Sequence, residues 1–446
     1  MTWIQRHRFR HYVTNSIWIV PVASMLLGIV AARVMFRLDL AWTGGASGFD
    51  PEVVRTILVT LAGVVFTLIV FINSALLIAL QLASQQLTPR VIALLFRDPV
   101  TKASLTLFVF VFAFTLTVTL MTEAGRGVPA LTARVAAYGG VASLAVFLYL
   151  VDYIGRSLRP GVVLRRVARV GRAVIHAVHP RMLADAPERP PEQVATQPGD
   201  GKPDRAVDAA RDGVILAFDI DGLRELARRA DCVIELVPRV GDFVAVGDPL
   251  FRILGPARQL RDEQLVHAVA VGQERTFQQD PTFALRVIVD IASKALSPAI
   301  NDPTTAVLAI DQLHRLLRQV GVRCLDEERV RDASGRLRLL YRTPDWADFV
   351  HLAVTEIRHF GGESIQVARR LRAMLQNLIQ TLPAPRGALL RQELELLDKS
   401  TRRAFSDPED CARAQVADPQ GVGSRRHTVA PETSDQSLIP AARAPQ

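Results

Sequence analysis

Two neighbouring stretches concentrate the residue types that do chemistry. The first runs Glu274-Arg275-Thr276 to Asp280-Pro281-Thr282, with Arg286 just beyond; the second gathers Ser297, Asn301, Asp302, Thr304 and Thr305 around Pro298 and Pro303. A proline-locked turn at a helix start offers backbone N–H groups to an anion. With Glu274, Arg275 and Thr276 folding back onto it, and Arg275 or Arg286 as counter-ion, a phosphate-bearing ligand or a partner would dock there. Hydrolysis would instead use Glu274 or Asp302 as base. No nucleophile elbow, phosphate-cradling glycine loop or HExxH accompanies them, so the expectation is ligand-binding candidates Glu274, Arg275, Thr276, Arg286, Ser297, Asn301, Asp302 and Thr304, and no catalytic residue.

The same acids have a plainer use. Asp280-Pro281 and Asp302-Pro303 each read as a helix start, Asp accepting from free N–H groups and Pro losing no donor at the first position. Asp50-Pro51 and Asp98-Pro99 repeat the device. Metal and cofactor chemistry find less support. His176, His179, His351 and His359 lack convergent carboxylates or thiols, and Cys232, Cys324 and Cys411 are far apart, so neither a metal site nor a disulfide framework is expected. The stretch Pro238–Leu254, with glycine turns at Gly241 and Gly247, resembles biotinyl- and lipoyl-like strand-turn-strand modules. It has no Lys to carry a swinging arm, so no cofactor is expected.

The elements that must position these residues follow from periodicity. Strands are expected at 213–219 and 232–237, with Asp221 capping a helix between them, and a short strand at Leu337–Tyr341. Phe283, Val287, Ile291 and Ala295 form one apolar stripe, and Ile310, Leu313, Leu317 and Val320 another, with Asp290/Lys294 and Asp311/Arg315 as pairs on the wet faces. Further helices are expected from Trp346, Ser364 and Arg386. The segment 183–206 reads as a linker and 406–446 as a disordered tail.

Upstream, residues 12–32, 56–89, 103–122 and 135–151 carry no charged side chain. A hydrocarbon core about 30 Å thick needs roughly 20 apolar residues in a helix, so these are four candidate membrane spans. Arginines before the first span and from Arg156 to Arg172 after the fourth place both termini in the cytoplasm. The expected fold is an α-helical membrane protein with four transmembrane helices and an α+β, mainly helical cytoplasmic domain that contains a small β module. Its divisions are a basic N-terminus (1–15), the spans (16–154), a basic juxtamembrane helix (155–182), the linker, the β module (207–256), the helical domain (257–405) and the tail.

The net charge of +9 sits largely beside the spans, so nucleic acid is not an expected partner. The expected partners are the lipid bilayer, with anionic headgroups near Arg156 to Arg172 meeting an amphipathic helix, and further copies of the chain in a homo-oligomer. Asn73, Thr115 and Thr119 are pore candidates, or else interhelical glue.

The segment from Glu274 through Ala292 to Val307, together with Gln81-Leu82-Ala83-Ser84, Thr88-Pro89-Arg90 and the Pro-x-x-Gly-Asp-Phe-Val turn at Pro238, resembles the bacterial predicted-membrane-protein family known as domain of unknown function 2254. The resemblance covers about residues 10–400. It implies a bacterial inner-membrane protein with several spans and a cytoplasmic domain, and carries no catalytic roles. The reading is therefore a non-enzymatic membrane scaffold or sensor with a ligand- or partner-binding domain. The alternatives are a channel or transport component lined by the second and third spans, and a membrane-embedded enzyme using Glu274 to Thr304.

Overall fold

The computed structural model describes residues 3–4, 16, 18–43, 50–92, 98–122, 130–185, 204–257, 259–325 and 329–423. Four long apolar helices come first: α1 (Ile19–Thr43), α2 (Pro51–Gln86), α3 (Pro99–Thr122) and α4 (Ala130–Ser157). Each is long and apolar enough to cross a membrane. Asp50 starts α2 by accepting from the Glu52 N–H at 3.0 Å, and Asp98 starts α3 by accepting from the Thr101 N–H at 3.0 Å. The packed side of the bundle lies along α3. A methyl group at Gly28 of α1 would sit 2.7 Å from the Phe110 carbonyl oxygen, so glycine is what lets α1 and α3 approach this closely.

Asp39 lies in the last turns of α1, 2% exposed, and its carboxylate accepts from the Thr132 N–H at 2.8 Å and the Thr132 hydroxyl at 3.1 Å. One helix thus caps the start of another. The first helix runs past the uncharged stretch because its terminal charge satisfies orphan donors on α4.

After α4 the chain turns into α5 (Pro160–Val178), then alternates strands and helices: β1 (Arg205–Asp208), β2 (Gly213–Phe218), α6 (Ile220–Ala230), β3 (Val233–Leu236), β4 (Phe243–Val244), β5 (Pro249–Leu254), α7 (Asp262–Val266) and β6 (Val269–Gly272). Asp219, not Asp221, caps α6, accepting from the Gly222 N–H at 3.0 Å. The helical run is α8 (Pro281–Ala295), α9 (Pro303–Gly321), a hairpin of β7 (Arg329–Arg331) and β8 (Leu337–Tyr341), then α10 (Trp346–Phe360), α11 (Ile365–Thr381), α12 (Ala384–Ala404) and α13 (Pro408–Ala414).

Two sheets build the β part, in the orders β1-β5-β3-β8-β7 and β4-β2-β6. β3 pairs antiparallel with β5, Ile234 opposite Ile253, and parallel with β8, Ile234 opposite Leu339. The β part therefore does not close at residue 256. It borrows β6 and the β7–β8 hairpin from the stretch read as helical, and its core joins Ile215, Ile234, Phe251, Ile253 and Leu339.

Two expectations change in the helical part. α5 is amphipathic, but its apolar face (Val163, Leu164, Val167, Ala168, Ile175) is buried in one core with α8 and α9, so protein covers it rather than lipid. The segment after Asp407, expected to be tail, folds as far as residue 423. Asp407 caps α13, the Arg369 Nε donates to the Val416 carbonyl at 3.1 Å, and Asp418 accepts from the Gly423 N–H at 2.7 Å. Polar groups hold this strap instead of an apolar stripe, so periodicity does not reveal it. Most of the 183–206 linker and residues 424–446 lie outside the described residues.

Candidate functional site

Asp280 sits at the N-terminus of α8, 2% exposed. Its Oδ1 accepts from the N–H groups of Thr282 and Phe283 at 3.1 and 3.0 Å and from the Thr282 hydroxyl at 2.6 Å. Its Oδ2 accepts from Arg275 at 2.7–2.8 Å, and that guanidinium lies 5.8 Å from the Phe283 ring centroid. Gly241, at φ +96°, closes the cluster: a methyl group there would come within 2.2 Å of the Arg275 Nη2. Next to it the Gln279 amide mimics a peptide, accepting from the Phe218 N–H at 3.0 Å and donating to the Phe218 carbonyl at 3.1 Å. The glycine turn of the β part and the start of α8 are thereby locked together. Glu274 remains exposed, and Thr276 has a buried hydroxyl without a hydrogen-bond partner.

Arg286 does not serve as an open counter-ion. It donates to Asp290 at 2.7 Å and grips Glu356 of α10 with both Nη atoms, one at 2.7 Å. These carboxylates push the guanidinium pKa further up, and Arg286 in turn holds the Glu356 carboxyl below its usual range. Asp290 also pairs with Arg90, just past the end of α2, and Lys294 donates to the Ser84 carbonyl of α2 at 2.9 Å. The expected Asp290/Lys294 pair gives way to contacts that tie α8 to α2. Asp311 likewise pairs with Arg370 of α11 rather than Arg315.

At the C-terminal end of α8, Ser297 donates to the Lys294 carbonyl at 2.7 Å, and its own carbonyl accepts from the N–H groups of Ile300 and Asn301. Asn301 is left-handed, φ +46°, which turns the chain into α9. Asp302 caps α9, accepting from the Thr305 N–H at 3.0 Å and from its hydroxyl at 2.5 Å, while Thr304 is exposed. The fifteen residues of α8 put about 22 Å between its two ends. Glu274, Arg275 and Thr276 therefore do not fold back onto Ser297–Thr305, and the single constellation expected from sequence is two separate clusters. The intervening residues form a rigid helix, which sequence proximity alone conceals.

A family model described as a predicted membrane protein, DUF2254, matches residues 14–377. The chain belongs to this family. Uncharacterized proteins of Mycobacterium bovis and Mycobacterium tuberculosis are 26% identical to it over 462 residues, covering 99% of this chain and 87% of theirs. No solved structure matches the chain. The family match takes in all four apolar helices, the Gly241 turn and both ends of α8.

Within this family member the pore candidates do not converge. Thr115 is fully buried in α3 and the Thr119 hydroxyl donates to its carbonyl at 2.9 Å, whereas Asn73 lies exposed on the outside of α2, donating to the Ile69 carbonyl. One copy of the chain does not line a pore with all three. Among the described residues no group of three His, Cys, Asp or Glu side chains gathers as a metal site.

Two clusters escaped the sequence reading. Asp98 accepts from the Tyr153 hydroxyl at 2.7 Å and pairs with Arg166 of α5 at 3.0 Å, so one cap residue fastens α3, α4 and α5. His351, expected to lack a carboxylate, meets Glu393 of α12 at 3.0 Å, and Arg358 lies 3.6 Å from the same carboxylate, which is 1% exposed. Forty-two residues separate His351 from Glu393 in sequence. No local pattern announces such a pair.

Proposed function

We propose that the protein is a non-enzymatic membrane scaffold or sensor of the bacterial inner membrane. In this reading α1–α4 cross the bilayer with both termini cytoplasmic, and the C-terminal part is a cytoplasmic ligand- or partner-binding domain that moves as one body with α2. The observation that carries it is one shared apolar core. Ala83, Leu87 and Val91, at and beyond the end of α2, are buried together with Phe283, Val287 and Ile291 of α8 and Leu164 and Val167 of α5. The Arg90–Asp290 pair and the Lys294–Ser84 bond reinforce it. Exposed Trp18 and Trp42 bracket α1, as residues of an aromatic belt do.

Such a joint converts a change of tilt in α2 into movement of α8. Bilayer thickness sets tilt through hydrophobic mismatch. Amide exchange of the full-length protein in thin and thick bilayers tests this: exchange at the end of α2 and across α8 should change together. Unchanged α8 exchange, with altered exchange at the end of α2, would sink the coupled-body reading.

A second reading, a transport component assembled from several copies, is favoured by one face of α2. Thr56, Thr60, Gly63, Thr67 and Ser74 lie exposed along it, with Asn73 alongside. Small and hydroxyl-bearing residues are common where membrane helices meet. Electrical silence of the reconstituted protein across ions and potentials would end this reading. The enzyme reading loses its support, because Glu274 and Asp302 lie at opposite ends of α8 and both Asp302 oxygens are engaged.

A further inference from the structure

We infer that the exposed turn between α8 and α9, Ser297–Asn301, rests in the membrane–water interface against anionic phospholipid headgroups, with Arg159 and Arg165 beside it. The inference deepens the scaffold reading and rests on α1–α4 spanning a bilayer.

Direction comes first. Moving outward along the end of α2, from Ser84 to Arg90, the partners on α8 run backwards from Lys294 to Asp290. The C-terminal end of α8 therefore points back toward the apolar bundle. α9 agrees: a Leu308 methyl lies 3.6 Å from where a Gly161 side chain would begin, and Gly161 follows α4 by four residues. Asn301 is seven residues before Leu308, about 10 Å further toward the bundle.

Chemistry comes second. The polar groups of the turn are spent internally, Ser297 on Lys294 and its own carbonyl on two N–H groups, Asp302 on the α9 cap. What faces outward is Pro298, Ala299, Ile300 at 36% exposed and Asn301. Exposed Arg159 precedes α5, and exposed Arg165 reaches back so that its Nη1 lies 3.6 Å from the same Gly161 position that Leu308 approaches, which puts both arginines at the bundle-side end of α5. A small apolar tip beside arginines is the composition of an interfacial contact with an anionic leaflet. Another exposed apolar tip, Phe243 and Val246, belongs to the β4 turn near the opposite end of α8 and has no such placement.

The test uses full-length protein carrying Cys324→Ser and Cys411→Ser, with single fluorophores at Ile300→Cys, Val246→Cys or Leu116→Cys. It is reconstituted in phosphatidylcholine vesicles with or without phosphatidylglycerol, and quenched by lipids spin-labelled at the headgroup or deep in the chain. Headgroup quenching at Ile300 should exceed that at Val246 at least about twofold and rise with phosphatidylglycerol, and Arg159→Gln with Arg165→Gln should remove that rise. If Leu116 escapes the deep quencher, the spanning reading fails and takes this inference with it. If Leu116 is quenched while Ile300 matches Val246, the inference alone is overturned. Quenching at Ile300 that ignores phosphatidylglycerol overturns the anionic-headgroup assignment.

Discussion

The two ends of α8 use the same opening device, an Asp-Pro-Thr start, in opposite surroundings. At the distal end Asp280 is closed in by Arg275, Thr282 and the Gly241 turn. At the proximal end Asp302 caps α9 just as neatly, yet the turn leading into it stands exposed. Equal local chemistry with unequal burial teaches which end is construction and which is surface. Fixing a side chain in a closed cluster serves packing, whereas leaving a proline-stiffened apolar turn uncovered keeps it available to something outside the chain.

The largest effect that would sharpen this contrast belongs to the distal side, where α5 ends. His179 is fully buried against Phe349, and burial first, then Arg323, holds its imidazole down at about 4 from an ordinary 6.5. The folded state thus binds fewer protons than the unfolded one. Its contribution to stability is intact above pH 6.5, is lost as pH falls toward 4 and levels off below. A shift of that size corresponds to about 3 kcal/mol. Unfolding of the detergent-solubilised protein from pH 7 to 4 should show this loss, and His179→Leu should flatten that part of the profile. An unchanged slope in the variant would assign acid sensitivity elsewhere.

Next in size is the distal cap. Asp280→Ala removes the acceptor of two backbone N–H groups and takes the carboxylate from Arg275, which is one-third exposed and so partly rescued by water. A cost of about 2 kcal/mol is expected. Asp280→Asn retains the cap but not the charge, and should fall between Ala and the parent in the same denaturation assay. Equal stability of all three would mean the closed cluster contributes nothing and would dissolve the contrast between the ends.

Much of this was readable in the sequence wherever the information is local. The four apolar helices, the Asp-Pro starts and the stripes of α8 and α9 all rest on neighbours a few residues apart. The Arg90–Asp290–Arg286–Glu356 belt, the β3–β8 pairing and His351 with Glu393 were not, because each joins residues distant along the chain. α5 marks the boundary between the two cases. Its amphipathic pattern declares an apolar face, but lipid and protein are equally good at covering one, and only the positions of α8 and α9 decide. The candidate site is the least legible part: Glu274–Thr276 and Ser297–Thr305 are near in sequence, but the helix Pro281–Ala295 holds them apart in space.

At the proximal end the cap predicts a smaller effect. Asp302→Ala should cost about 1 kcal/mol, and Asp302→Asn only a few tenths, since Asn accepts from the Thr305 N–H nearly as well. Thermal unfolding of the full chain ranks the two. A variant order reversed from this would show that the charge, not the cap, matters at Asp302, and would reopen it as a binding residue.

The smallest expected effect on stability is the one that separates the ends most sharply. Ile300→Ser trims an apolar side chain that is 36% exposed and lies outside the buried cores, so the detergent-solubilised protein should lose less than about 0.5 kcal/mol. The matching change at the closed end, Phe283→Ser, would empty a position that is 5% exposed and whose ring centroid lies 4.7 Å from that of Phe277, at a cost of several kcal/mol. In lipid the balance shifts for Ile300 alone. Once a bilayer covers the turn, burying Ile300 stabilises the joined body, and the serine variant should show a larger deficit in vesicles than in detergent, read as faster amide exchange through the start of α9. A deficit of the same size in both media would mean that no bilayer reaches the turn, and that the two ends of α8 differ in packing only.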